Sequence, residues 1–246
     1  MEQLPSYISI SFMLVTFLTV FIFYRATGNS IKVLIILCAW LVVQLVTGLA
    51  GFYFVTDTIP PRFAFTIIPP VIVTAVLLIS KKGKDFINKL DLKMLVLLHC
   101  IRIPVELILF SLYKYKTIPE LMTFEGRNFD ILAGLSAPII YYFGFVKNSL
   151  SKKAIIAWNF ICLGLLTNIV INAILAAPFG FQQFAFEQPN VAILHFPFVW
   201  LPACVVPLVL LAHLASVYRL MEEIKETRER NKLVPDEDLS VLKTLK

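Results

Sequence analysis

Seven long stretches of apolar residues constrain the fold of this chain more than any other feature. About 20 consecutive apolar residues are enough for an α-helix to cross the hydrocarbon core of a bilayer. Lipid offers no water to a backbone amide, so each crossing segment must be helical. The sequence therefore predicts an all-α, polytopic integral membrane protein with seven transmembrane helices. The predicted spans are residues 6–24, 32–55, 62–80, 93–113, 130–147, 154–177 and 191–218.

The composition agrees with a membrane protein. Apolar residues form 59% of the 246 positions and charged residues 15%, whereas a soluble domain has roughly a half and a quarter. We therefore interpret residues 1–218 as one seven-helix transmembrane bundle. The segment MEQLPSYIS has no basic region, and no small-residue cleavage site follows its apolar run. We expect the first run to be a retained helix and not a signal peptide.

The basic residues predict the orientation of the bundle. Of the 22 Lys and Arg residues, 17 fall on one side of the predicted spans, four fall on the other and Arg102 lies within the fourth span. The positive-inside rule assigns the richer side to the cytoplasm. We expect the N-terminus outside and the C-terminus in the cytoplasm, in the cell (inner or plasma) membrane. The net charge of +6 then follows from topology and indicates no nucleic-acid partner.

Residues 219–246 form the last predicted region. Charges of alternating sign recur there at helical spacing up to about residue 232, before Pro235. Such spacing favours a solvated helix with pairs of opposite charge. We predict a charged cytoplasmic tail that is partly helical.

Three ionisable residues interrupt the fourth span, in the segment LLHCIRIPVELILF. Helical periodicity places Arg102 and Glu106 within about 60° of His99, on one face. Intramembrane charges are costly and usually functional. One interpretation is a polar pocket in which Arg102 binds an anionic group while Glu106 and His99 carry protons. In the alternative, Arg102 pairs with Glu106 four residues on, and His99 donates a hydrogen bond between helices.

Other spans contain polar residues that we add to the ligand-binding or proton-coupling candidates. Asn168 and Asn172 in the sixth span are four residues apart and share a face. Such amides also serve as hydrogen-bonding contacts between helices. His195 lies near the outer end of the seventh span, at a depth similar to that of Glu106.

The loop MTFEGRNFDILAG, which precedes the fifth span, supplies secondary candidates. Glu125, Arg127 and Asp130 lie outside the membrane in the predicted topology. Asn128 and Asp130 are also suited to cap the helix that follows. Glu125 and Asp130 are placed to close over Glu106 and His195 from the outer side.

We predict no cofactor, and the residues bear on three kinds: retinal, a metal ion and haem. Retinal is excluded because residues 191–218 contain no lysine for a Schiff base. A metal ion has potential ligands in His99, His195, Glu106 and Asp130, although no HExxH pattern occurs. The four cysteines lie in four different spans without metal-type spacing. His99 with His213 is the histidine pair considered for a haem.

Three classes of function follow. The leading hypothesis is a transporter or ligand-binding protein for a small solute, with an anionic solute and proton coupling as options. An intramembrane metal-dependent hydrolase is the enzymatic alternative. The third class is a receptor or membrane-complex subunit in which the charged residues are purely structural. No catalytic residue is assigned, and protein partners and the oligomeric state are left open.

Overall fold

The computed structural model describes residues 4–233. Within this range all regular secondary structure is helical and no β-strand occurs, so the predicted all-α fold class is confirmed. The part of the predicted tail that follows Leu233 lies outside the described residues. The helices are α1 (Ser6–Ala26), α2 (Ile31–Leu49), α3 (Ala64–Ile79), α4 (Lys81–Asn88), α5 (Leu92–Lys114), α6 (Ile131–Val146), α7 (Lys152–Leu175) and α8 (Val206–Leu233).

Five of the described helices are long and apolar enough to cross a membrane. They are α1, α2, α5, α7 and the helix formed by α8 together with the π-helical turn Leu201–Val205 that precedes it. The third apolar run forms α3, which is followed by α4 after a bend of 89°. The fifth run forms α6, a shorter apolar helix with 11 α-helical and five π-helical residues. Each predicted span thus contains a helix, but two of these helices are short.

The bend between α3 and α4 has a local cause. The Ser80 hydroxyl accepts a hydrogen bond from the Gly83 backbone N–H at 3.1 Å and so caps α4. Gly83 packs against the backbone of Leu77, where a Cβ atom would overlap the Leu77 carbonyl. α4 buries Ile87 and exposes Lys82. A short amphipathic helix perpendicular to an apolar one is typical of a membrane interface.

The last helix begins later than the sequence suggested. Residues 191–200 were expected to be helical, but they form a 3-10 turn, Ala192–Leu194, and an irregular segment. Pro197, within this segment, explains the difference, because proline lacks an N–H and disfavours helix in the residue before it. Pro207 also leaves the Ala203 carbonyl without its usual donor, and the Trp40 indole of α2 donates to that oxygen at 2.8 Å. The proline therefore connects the start of the last helix to α2.

α5 and α8 form the centre of the bundle. α5 packs against α1, α6 and α8, and α8 also packs against α3 and α7. Within α5 the turn His99–Ile101 is a 3-10 helix, three residues before Pro104, which cannot donate to the Cys100 carbonyl. The outer faces of α2, α3 and α7 expose large apolar side chains such as Ile36, Ile72 and Ile161. Apolar surface of this extent is unusual for a soluble monomer.

Candidate functional site

Arg102 is at the centre of the buried polar residues. Its Nη1 donates to Asp130 Oδ1 at 3.0 Å, and the two side chains are 3% and 8% exposed. Its Nη2 lies 3.1 Å from His213 Nε2. Arg102 therefore forms an ion pair with the residue before α6, and the alternative in which it pairs with Glu106 is wrong. The reason is tertiary: the loop before α6 folds inward and brings a carboxylate to the guanidinium.

The bonding of His213 fixes its tautomer. A guanidinium can only donate, so His213 Nε2 accepts from Arg102. Nδ1 then carries the proton and donates to Asn159 Oδ1 at 2.8 Å, while Asn159 Nδ2 donates to the Ile155 carbonyl at 2.9 Å. The imidazole in this arrangement is neutral, and a chain of directed hydrogen bonds links α5, α8 and α7.

His99 lies beside this chain without joining it. Its ring stacks on His213 with centroids 3.8 Å apart and an interplanar angle of 14°, and the edge of Trp158 is nearby. Neither ring nitrogen of His99 has a hydrogen-bond partner among the described residues. Stacked imidazoles do not point their nitrogens at a common metal from opposite sides, so the haem arrangement considered for His99 and His213 does not fit this geometry.

Glu106 is bonded by the loop before α6. Both of its oxygens accept from Asn128 Nδ2, at 2.6 and 2.7 Å. The same amide donates to the Met122 carbonyl at 3.0 Å, and Asn128 Oδ1 accepts from the Asp130 N–H at 3.0 Å. Among the described residues, Glu106 has no cationic partner within an ion-pair distance.

The inward fold of this loop depends on close backbone contacts. Asn128 is fully buried, and Asp130 is 6% exposed. Gly134 in α6 lies against α5, where a Cβ atom would come within 2.9 Å of Ile103 Cγ1 and 3.3 Å of Arg102 Cβ. Asp130 precedes α6 as expected for a cap, but neither it nor Asn128 caps the helix with a side chain. Their side chains bond to Arg102 and Glu106 instead.

A cavity of about 230 Å³ adjoins this cluster. Glu106 and Asp130 line it, and Thr167 is the third polar residue in its wall. Asp130 Oδ2 accepts no hydrogen bond from the part of the chain that the structure describes. Arg102 does not line the cavity, so the ionisable residues of its wall are the acidic Glu106 and Asp130. The remaining walls are mainly apolar side chains, including Ile67, Val71, Leu109, Leu166, Val170 and Leu210.

The amides of the sixth predicted span lie near the loop and not in the cavity wall. Asn168 Nδ2 donates to the Arg127 carbonyl at 2.8 Å. Asn172 Nδ2 donates to Asn168 within α7, to the carbonyl at 2.9 Å and the side-chain oxygen at 3.2 Å. The Asn168 bond connects α7 to the loop before α6, which matches the role of amides as contacts between segments.

The other candidates lie apart from the cluster. The His195 ring packs on Phe54 at 4.4 Å between centroids, outside the cavity lining. Glu125 is exposed and lies 3.9 Å from the Lys114 ammonium. The Arg127 guanidinium lies over the Phe184 ring at 5.7 Å. Of the three loop candidates, only Asp130 turns into the bundle.

Sequence reasoning gave too little weight to three residues of the cluster. His213 lies within an apolar run, and the rule that singled out His99 applies equally to it. Asn159 lies in the sixth predicted span with Asn168 and Asn172 and was not singled out there, and the sequence indicated Asn128 only as a cap. Among residues 4–233, no group of three or more His, Cys, Asp and Glu side chains is arranged to hold a metal ion.

The fold and the site define a class: an all-helical protein whose long apolar helices enclose a polar cluster and an acid-lined cavity. Residues 60–221 match a family described as "Domain of unknown function (DUF8737)", and the chain belongs to this family. The matched region begins before α3 and ends within α8, so it contains the whole cluster and the cavity lining. No curated protein and no solved structure matches the chain.

Proposed function

We propose that this chain is an integral membrane protein with seven crossings, with its N-terminus outside and its C-terminus in the cytoplasm. Five helices have sufficient length and apolarity. α3 would form the third crossing, and the lysines of α4, after the bend, would then lie at the cytoplasmic interface. α6 would complete the fifth crossing together with the loop before it. Irregular backbone is tolerated at membrane depth where protein surrounds it, and Asn128 is fully buried.

The cavity supports a ligand-binding function. We infer that it binds a small, largely apolar molecule with one ammonium group, and that Glu106 and Asp130 bind that group. The observation that carries this proposal is two carboxylates in an otherwise mainly apolar wall. The volume of 230 Å³ is just under the roughly 300–1,000 Å³ typical of ligand pockets, which favours a small ligand.

The charges of the cluster favour a cation over the anion suggested by Arg102. Asp130 neutralises Arg102, and His213 occupies its second terminal nitrogen. Glu106 is 2% exposed and has only an amide donor. A buried carboxylate is stable when it is protonated or paired with a cation. An ammonium ligand would supply that partner through a charge-assisted hydrogen bond.

Three probes with one hydrocarbon cage test this proposal: 1-aminoadamantane, 1-adamantanol and adamantane-1-carboxylate. Thermal unfolding of the purified protein in detergent measures binding, because a ligand at about 100 times its Kd stabilises the folded state by about 2.7 kcal/mol. We expect the amine to raise the Tm and the carboxylate to have no effect. Glu106→Gln should remove the amine effect, and Glu125→Gln, on the exposed loop, should retain it. Stabilisation by the carboxylate alone, or by none of the probes, would contradict the proposal.

Exchange of a cation for a proton is a second candidate. The specific observation is that Glu106 lacks a cationic partner, so a proton and an ammonium ligand compete for one carboxylate. Proteoliposomes with an internal pH indicator would receive external trimethyl-1-adamantylammonium, which has no N–H, pairs with a carboxylate through its charge alone and does not cross a bilayer by itself. Exchange predicts that the lumen becomes more alkaline with the wild-type chain and not with Glu106→Gln. An unchanged lumen pH with the wild-type chain would contradict exchange, and the protein would then bind the cation without transporting it.

A further inference from the structure

We propose that the cavity opens sideways into the bilayer between α3 and α7. Its ligand is then a single-chain amphiphile with a primary ammonium head, and the alkyl tail leaves through this opening. The inference rests on the proposed binding function and extends it to a ligand class and an entry route.

The opening is defined by residues that both line the cavity and lie on the outer surface. Val71 of α3 is 42% exposed, and Ile171 of α7 is 51% exposed. Thr167 is exposed one turn before Ile171 and also lines the cavity. α3 and α7 each pack on α8, and the cavity lies between them. The space therefore reaches the side of the bundle.

The opening lies at the depth of lipid chains in the proposed topology. At about 1.5 Å per residue, Thr167 lies about 22 Å along α7 from Lys152, and Val71 lies about 14 Å from the Ser80 end of α3. Both positions fall inside a hydrocarbon core about 30 Å thick. Exposed apolar residues such as Ile68 and Ile72 continue the surface of α3 beside the opening. A molecule that enters here comes from the acyl-chain region.

The chemistry of the walls sets the orientation of the ligand. Glu106 and Asp130 lie on the side of the cavity formed by α5 and the loop before α6, whereas the opening lies between α3 and α7. Asp130 Oδ2 is without a hydrogen-bond donor among the described residues. The ammonium head would reach the carboxylates, and the tail would pass the apolar walls toward lipid. The length of a tail that continues into the bilayer is not limited by the cavity volume.

A series of n-alkylamines from six to fourteen carbons tests the open side. The full chain in phosphatidylcholine nanodiscs would bind radiolabelled amines, and empty nanodiscs would correct for partitioning. Binding is calculated from the concentration of free amine in water. On that scale, each methylene that moves from water to lipid should strengthen binding by about fourfold. We expect this increase to continue through fourteen carbons. A maximum at short chains, followed by weaker binding, would show a closed cavity and overturn the inference.

Variants at the opening provide an independent test. Thr167→Trp should block the tail and weaken n-dodecylamine binding at least tenfold, a larger loss than for 1-aminoadamantane, whose cage has no tail in the opening. Val71→Trp should act in the same way from the other helix. Ile161→Trp is the matched control, because Ile161 is exposed on α7 outside the cavity lining. Size-exclusion chromatography would verify folding of each variant.

The outcomes separate this inference from the proposed function. If 1-aminoadamantane binds but n-dodecylamine does not, or if both are weakened equally by Thr167→Trp, the binding function stands and lateral entry is wrong. If neither amine shows saturable binding to the wild-type chain, the proposed function itself fails. If Glu106→Gln binds n-dodecylamine as tightly as the wild-type chain does, the ammonium head does not lie at Glu106 and its assigned position is wrong.

Discussion

Arg102, Glu106 and Asp130 lie in one buried cluster, yet their hydrogen bonds give them different roles. Arg102 and Asp130 neutralise each other at 3.0 Å, and removal of either leaves a buried charge unpaired. Glu106 shares no ion pair with them and faces the cavity. The ion pair therefore supports the structure, while Glu106 remains available to a proton or a ligand.

Asp130→Asn and Glu106→Gln should have opposite effects on stability. Asp130→Asn leaves Arg102 without its counter-ion and should lower the free energy of unfolding by about 3–5 kcal/mol. Glu106→Gln keeps an oxygen that accepts from Asn128 and removes an uncompensated buried charge, so its Tm should equal or exceed that of the wild type. Thermal unfolding in detergent measures both. A large loss of Tm in Glu106→Gln, with Asp130→Asn unaffected, would restore the pairing of Arg102 with Glu106.

The two stacked histidines should also differ. His213→Phe leaves Arg102 Nη2 and Asn159 Oδ1 without partners and should cost more than about 2 kcal/mol of stability. His99→Phe keeps an aromatic ring against His213 and removes two unpartnered nitrogens, so the change should stay within about 1 kcal/mol. The same unfolding assay compares them. Equal losses would indicate that His99 has a hydrogen-bond partner in the purified protein.

At the scale of elements, the short α6 and the loop before it determine the site. The loop brings Asn128 to Glu106 and Asp130 to Arg102. This is possible because α6 begins near the depth of Arg102 and packs closely on α5 through Gly134.

Gly134→Ala should therefore disturb the site. The added Cβ would lie 2.9 Å from Ile103 Cγ1 and 3.1 Å from the Ile103 backbone nitrogen, and overpacking of this kind costs about 1–3 kcal/mol. We expect a lower Tm and weaker 1-aminoadamantane binding. Gly164→Ala in α7 is the control: its Cβ meets nothing within 4 Å, and alanine is the better helix former by about 1 kcal/mol. Wild-type stability in Gly134→Ala would show that α6 moves freely against α5.

At the scale of the whole molecule, the cavity, the polar cluster and the sites of the charged residues fit one arrangement in a membrane. Apolar surfaces face outward on α2, α3 and α7. The hydrogen-bonded residues of the polar cluster lie inside the bundle and bond to one another, and His99 is buried beside them. This arrangement is typical of polar residues in membrane proteins, and the orientation of the bundle is still a prediction.

Cysteine labelling tests the orientation. In a variant with the four native cysteines replaced by alanine, Glu125→Cys should react with a membrane-impermeant maleimide on intact cells. Lys82→Cys, exposed on α4, should react only after permeabilisation, because the positive-inside rule places α4 in the cytoplasm. Electrophoretic mobility after labelling gives the result. The reverse pattern would contradict the third crossing or invert the topology. Labelling of both positions in intact cells would contradict a crossing by α5, the long apolar helix between them.

The sequence by itself determined the helical class and the approximate position of the long apolar helices, because a long apolar run has few other stable backbone conformations in lipid. It also identified His99, Arg102 and Glu106 as one face of α5, since helical spacing relates residues within a helix. Only the tertiary structure decided that Arg102 pairs with Asp130, Glu106 with Asn128 and His213 with Asn159. These partners come from other segments, and their approach depends on the close packing of α6 on α5 and on the inward fold of the loop. No local pattern encodes that packing.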